Sequence, residues 1–215
     1  MSEPTVRTEL RPGDLGEIVA HHGRMYAAEY GVDSRFEGHV AASVGEVARR
    51  GFPREREAVR IVELGGRHAG SVALTEEADN CAAIRWFAFD SAVRGRGLGR
   101  RLLEELLAKA RADGYRQVWL ETFSDLRAAA HLYRDNGFRV VSEDPAPRWG
   151  RETITYQRYE LDLTQSSGLR SAHGRSDSSW AASESSVASS PGRATIWTAS
   201  GRSSLERPAG TDAAG

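Results

Sequence analysis

One stretch limits the fold more than any other. Ala82-Ala83-Ile84-Arg85-Trp86-Phe87-Ala88-Phe89 has the apolar make-up of a buried strand. Arg94-Gly95-Arg96-Gly97-Leu98-Gly99 follows and opens a helix whose apolar stripe is Leu98, Leu102, Leu103, Leu106, Leu107 and Ala110. Strand, glycine-rich turn and helix in this order make a phosphate-binding arrangement. Glycine lets the backbone approach an anion, the first helical amides lack intrahelical partners, and the helix dipole adds positive potential. Arg94, Arg96, Arg100 and Arg101 bring guanidiniums within reach of the same spot. Two commoner phosphate sites are excluded. A P-loop needs Lys-Ser/Thr after its last glycine, and Gly99 is followed by Arg100-Arg101. A dinucleotide fingerprint needs Gly-x-Gly-x-x-Gly, whereas this run is Gly95-x-Gly97-x-Gly99.

The surrounding segments alternate between strand and helix patterns. Val6–Leu10 predicts a short strand, and Asp14 caps a helix with Leu15, Ile18, Val19, Met25 and Tyr26 that Gly31 ends. A second helix is expected over Phe36–Arg49. Ala58–Leu64 and His68–Leu74 form a hairpin about Gly65-Gly66. Gly114 stops the central helix before a buried strand, Gln117–Thr122. Ser124 or Asp125 caps a further helix through Asn136, closed by Gly137. Phe138–Val141 and Thr153–Leu163 are the last strands. The order βααβββαβαββ describes one α/β domain with a mixed sheet of about seven strands and four helices.

Composition divides the chain after Leu163. Residues 164–215 hold 14 Ser, 9 Ala and 6 Gly, with few large apolar side chains and no helical or strand period. Such a segment buries too little surface to offset its ordering entropy, which predicts a disordered tail behind a domain of residues 1–163. With 29 basic and 30 acidic residues the net charge is −1, which gives no reason to expect a nucleic-acid partner. Lys109 is the only lysine, so abundant arginine is no functional signal here. A single cysteine, Cys81, excludes an internal disulfide and a Cys-cluster zinc site. No apolar run reaches the length of a membrane span, and Met1-Ser2-Glu3-Pro4 lacks the layout of a signal peptide. A cytoplasmic protein without membrane or metal partners is expected, as a monomer or homodimer.

Arg94-x-x-Gly97-x-Gly99 after an apolar strand resembles motif A of the GNAT superfamily of acyl-CoA N-acyltransferases. Leu132-Tyr133-Arg134-Asp135-Asn136-Gly137-Phe138 resembles the Leu-Tyr-x-x-x-Gly-Phe of its motif B, one helix, one strand and one turn downstream. The resemblance spans about residues 4–163. His22–Gly31 and Trp119–Phe123 are further similar to GNAT domains fused behind bacterial MarR-type regulators. The resemblance implies a GNAT-like fold and acetyl-CoA as co-substrate. It implies that backbone groups of Phe87, Ala88 and Phe89 pair with the pantetheine arm. Amides of Arg94, Gly95, Arg96, Gly97, Leu98, Gly99 and Arg100 would hold the pyrophosphate, with arginine side chains near the 3′-phosphate. Tyr133 would protonate the departing thiolate or hydrogen-bond to it, which a phenol with a pKa near 10 can do. Relatives often carry Asn seven residues before that tyrosine. Leu126 stands there, and Ser124 or Thr122 is the substitute nearest in sequence.

The attacking amine must be neutral, so a base or water relay is needed. Glu121 at the end of its strand, Glu29 on the first helix and His22 are the candidates, each with an ordinary surface or core role as its rival. Trp86, Tyr26 and Tyr30 could wall an acceptor pocket. The expected function is acetyl transfer from acetyl-CoA to a primary amine of a small molecule or peptide, by direct attack in a ternary complex without a covalent enzyme intermediate. The alternative is an acyl-CoA-binding regulatory module with little catalysis.

Overall fold

The computed structural model describes residues 3–164, and the expected tail lies outside the described residues apart from Thr164. The elements are β1 (Thr5–Arg7), α1 (Asp14–Tyr30), α2 (Ser34–Arg49), β2 (Ala58–Leu64), β3 (Arg67–Glu77), β4 (Cys81–Phe89), α3 (Leu98–Ala112), β5 (Gln117–Phe123), α4 (Arg127–Asp135), β6 (Arg139–Arg148) and β7 (Arg151–Asp162). They build a seven-stranded mixed sheet in the order β1-β2-β3-β4-β5-β7-β6. β4 and β5 are the parallel neighbours; the other adjacent pairs are antiparallel. β7 inserts between β5 and β6, so the crossover through α4 lands two places away.

The order of elements is the one the sequence predicts, and the differences lie at element ends. β1 stops at Arg7, whose guanidinium is drawn to Asp14 at 2.8 and 2.9 Å and to Glu63 at 3.0 Å. Asp14 therefore does not cap α1. It is the first helical residue, and Gly13 in the left-handed region (φ 100°) occupies the cap. α2 begins two residues earlier than the apolar pattern suggests, because the Asp33 carboxylate accepts from the Arg35 amide at 3.0 Å. Neither Ser124 nor Asp125 caps α4. Leu126 holds that position, while Asp125 is bound by Arg151 at 2.5 Å and the Ser124 amide donates to the Thr155 carbonyl at 3.0 Å.

Each face of the sheet carries its own core. On one face α3 buries its whole leucine stripe with Val118, Leu120, Tyr133, Phe138 and Tyr159. On the other, α1 and α2 pack Ile18, Tyr26, Phe36, Val40, Val44 and Val47 against Ala73, Trp86, Ala88, Phe123 and Ile154. His22 belongs to this second face. It stacks on Tyr26 and its Nδ1 lies 2.8 Å from the Ile18 carbonyl. Burial pushes its pKa down to about 4, so it is neutral at pH 7 and cannot titrate near neutrality.

Gly70 decides how closely β3 and β4 approach. Its φ is 153°, and a Cβ there would stand 2.5 Å from the Ala88 carbonyl oxygen and 2.9 Å from the Phe89 Cα. We expect Gly70→Ala to cost about 2 kcal/mol or more, read as a lower urea midpoint with an unchanged slope. Acid should also weaken the fold. The unfolded chain takes a proton on His22 below pH 6.5, whereas the folded chain refuses it until about pH 4. The stability difference is complete above pH 6.5 and lost progressively as the pH falls toward 4, about 2 kcal/mol by pH 5. His22→Asn, which can keep the donor to Ile18, should flatten that loss in urea titrations at pH 7 and pH 5.

Candidate active site

β4 and β5 stay paired only from Cys81 opposite Gln117 to Ala83 opposite Trp119. Past that point the strands part, leaving the β5-facing edge of β4 from Ile84 to Phe89 without a strand partner among the described residues. A bulge shapes this edge. Ser71 pairs with Ala88 and Ala73 with Arg85, so β4 spends one residue more than β3 over the same span. Trp86 takes the strained left-handed conformation (φ 52°). Ser71 Oγ holds it by donating to the Trp86 carbonyl at 2.9 Å, and the Trp86 indole donates to Ser43 Oγ at 3.2 Å.

α3 starts directly beyond the end of this edge. Gly95 (φ 75°) and Gly97 (φ 73°) use left-handed conformations that favour glycine, and Gly97 caps the helix with no side chain. The first bond across the cap runs from the Arg101 amide to the Gly97 carbonyl, 3.1 Å. The amides of residues 95–100 donate to no backbone carbonyl among the described residues. Gly99 differs from the other two glycines. A Cβ there would lie 3.4 Å from Phe89 and 3.6 Å from Phe87, ordinary contacts that alanine could make.

The four arginines of the segment do not converge. Arg96 and Arg101 line a cavity of about 230 Å³ with Pro4, Gly97 and Leu98. Arg100 instead binds Asp135 on α4 at 2.6 Å. Arg94 binds Glu29 on α1 through both guanidinium ends, at 2.7 and 2.8 Å. Carboxylates thus engage Arg94 and Arg100 closely, and Glu105 stands 3.9 Å from Arg101, so the unpaired backbone amides are the groups of this turn left open to an anion.

Tyr133 stands on α4 within the α3 core, its ring 6.2 Å from Phe87 and 5.6 Å from Tyr159. Its hydroxyl has no hydrogen-bond partner among the described residues, and burial raises its pKa well above the ordinary phenol value. It is a protonated donor at neutral pH. The carboxylates lie elsewhere. Alternation along β5 sends Glu121 to the face of Phe123, in the α1–α2 layer. There Tyr156 donates to it at 3.1 Å and Arg158 stands 3.7 Å away. Glu29 is on the same side. Tyr133 and the two carboxylates thus lie on opposite faces of the sheet, on either side of the part where β4 and β5 separate.

The sequence reading named Tyr26 and Tyr30 as wall residues, and they touch, rings 5.4 Å apart, with Phe123 against both. Trp86 lies under Phe52, 5.5 Å away, and belongs to the core and the bulge. Trp149 and Tyr156 escaped the sequence reading. Trp149, at the β6–β7 turn, packs on Phe36 at 5.0 Å and Tyr156 at 5.9 Å, and its carbonyl accepts from the Asp33 amide at 2.8 Å. The turn signal Trp149-Gly150 was present, but nothing local says that it docks 116 residues away. Ser124 is occupied at the β5–α4 turn, its hydroxyl 3.4 Å from Asp125.

Solved structures with this fold include an acetyltransferase of the GNAT family from Streptococcus pneumoniae, 22% identical, covering 74% of this chain and 99% of that one with a TM-score of 0.56. The ribosomal-protein-S18-alanine N-acetyltransferase of Escherichia coli is 21% identical, over 75% and 94% of the two chains, with a TM-score of 0.52. At such identities the likeness is one of fold. Among sequences, the N-acetyltransferase YjgM of Escherichia coli is 29% identical over 127 residues, which is 57% of this chain and 75% of YjgM. The N-alpha-acetyltransferase RimI of Mycobacterium tuberculosis is 52% identical over 58 residues, 27% of this chain and 35% of RimI. The sequence model of the family described as Acetyltransferase (GNAT) family matches residues 24–138, more than half of the chain. That span runs from α1 through the glycine turn to the end of the Tyr133 motif, and with it the chain belongs to the GNAT acetyltransferase family.

Proposed function

We propose that the chain transfers an acetyl group from acetyl-CoA to a primary amine of a small molecule or peptide. One observation carries this reading: a row of unpaired amides, residues 95–100, lies at the end of a strand edge that its neighbour has left open. A diphosphate suits the first, because convergent N–H groups and the helix dipole favour negative charge. An extended amide-bearing arm suits the second, because it can pair like an added strand. Phe87, Ala88 and Phe89 offer that pairing.

The thioester then reaches the gap between the two layers. The amine approaches from the α1–α2 side, its nitrogen lone pair attacks the carbonyl carbon, the C–N bond forms and the C–S bond breaks. Tyr133 donates its hydroxyl proton toward the sulfur, and its position on the opposite layer matches a leaving group that departs away from the attacking nitrogen. The amine proton passes to Glu121 directly or through water. Glu121 is the better placed of the two carboxylates, since it is exposed and shares a face with Phe123 beside the gap, whereas both oxygens of Glu29 are engaged by Arg94. No covalent enzyme intermediate is required.

The second reading, an acyl-CoA-binding regulatory module, draws on the pairing of both carboxylates, which leaves no free base in the absence of ligand. We also assign the transferase unit to residues 1–163, supported by the end of β7 at Asp162. A cytoplasmic setting without nucleic-acid partners draws on the balanced charge and the one free thiol, Cys81. Kinship to domains fused behind MarR-type regulators rests on His22–Gly31 and Trp119–Phe123, and assembly beyond a monomer or homodimer is not required by the site.

Calorimetric titration with CoA should saturate, and thiol release with acetyl-CoA and an amine library should depend on the amine. Binding without amine-dependent release would favour the module. Tyr133→Phe should lower kcat about tenfold or more and change CoA affinity less than twofold. An unchanged kcat would remove the donor role.

A further inference from the structure

The turn between β4 and α3 leans on α1 at both ends. Asp90 lies 3.3 Å from His21 Nε2, and Arg94 sets its guanidinium on the next turns of the same helix. Its two terminal nitrogens donate to Glu29 at 2.7 and 2.8 Å, and one of them also lies 3.0 Å from the Met25 sulfur. Its Nε donates to the Phe89 carbonyl at 2.5 Å. One planar side chain thus joins three things: α1, the last residue of β4, and the turn that presents the unpaired amides. The planar fork holds two carboxylate oxygens and a carbonyl in one fixed geometry, which the rotatable point charge of a lysine does not.

We propose that Glu29 and Arg94 form a positioning clamp that sets the amide row for the CoA diphosphate, a role that rests on the acetyl-transfer reading above. The residues that follow are Gly95 and Gly97, which have no side chain to fix their place and adopt positive φ. Their amides can converge on one anion only if the turn is held from outside, and the Arg94 anchor is the adjacent hold. Glu29 acts through Arg94 and not on the amine. Taking a proton from the amine would cancel the charge that holds the guanidinium on both its oxygens. The pair is partly exposed, with side chains 40% and 31% accessible, so its effect should be small on global stability and visible in ligand affinity.

The test is a double-mutant cycle read by CoA calorimetry and by kcat at saturating acetyl-CoA. Wild-type protein comes first; absence of saturation there would overturn the transferase reading, and the clamp with it. Given saturation, Glu29→Gln should weaken CoA binding about fivefold, and Arg94→Gln at least as much, since it also loses the Phe89 bond. The double variant should be no weaker than Arg94→Gln alone. Glu29→Asp, which keeps the charge and shortens the reach, should fall between wild type and Glu29→Gln. Urea midpoints should move little. Three results would overturn the clamp and leave the transferase reading standing. Tighter binding by Glu29→Gln would mean that Arg94 is a phosphate ligand that Glu29 holds back. Unchanged affinity with kcat reduced about a hundredfold and the acidic limb of the pH profile abolished would make Glu29 the base. Additive losses in the double variant would mean that the two residues act separately.

Discussion

The separation of β4 from β5 after Ala83 is the constraint on which the site depends. A parallel pair that stayed zipped would satisfy its own backbone and leave nothing to offer a ligand. Here the pairing ends at Ala83, and just beyond it β4 bulges against β3, with Trp86 in a conformation that a bulky side chain avoids. The strain is held by the buried Ser71 hydroxyl on one side and by the indole bond to Ser43 on the other. Both contacts come from neighbouring elements, so the sheet and α2 together impose a kink that the strand would not adopt alone. The open edge and the bare start of α3 then line up because β4 runs straight into the glycine turn.

Two cores, one on each face, give this gap its chemical polarity. The α3 layer supplies a phenol kept protonated by burial, and the α1–α2 layer supplies carboxylates near the surface. A sheet ordinarily insulates its two sides from each other. At the gap this insulation is interrupted, and alternation along β5 places Glu121 on the α1–α2 side.

Much of this was legible in the chain because the signals are local. The leucine stripe of α3, the Gly65-Gly66 hairpin and the glycine turn each depend on residues close in sequence, and the element order followed from them. What stayed hidden shares a cause. Asp14 and Asp125 look like helix caps from their neighbours, and nothing beside Arg94 or Arg100 names a partner, yet each meets an opposite charge brought close by the fold: Arg7, Arg151, Glu29 and Asp135. Charged side chains are long and act across elements, so their local context says little about their partner. The insertion of β7 between β5 and β6 was equally hidden, since the strand pattern does not state which neighbour a strand will take.

The attachment of the Trp149 turn to Asp33 has a bearing on how such a protein can diversify. The tip is tethered through main-chain atoms, and Gly150 leaves the room that the Asp33 carboxylate occupies. The main-chain bond fixes where the turn sits, and the indole adds its packing on Phe36 and Tyr156. Exchange of one aromatic ring for another there keeps the main-chain bond, and the glycine turn before α3 lies on a separate segment. The ring carried by this turn can therefore drift across descendants while the segment that follows β4 is inherited intact.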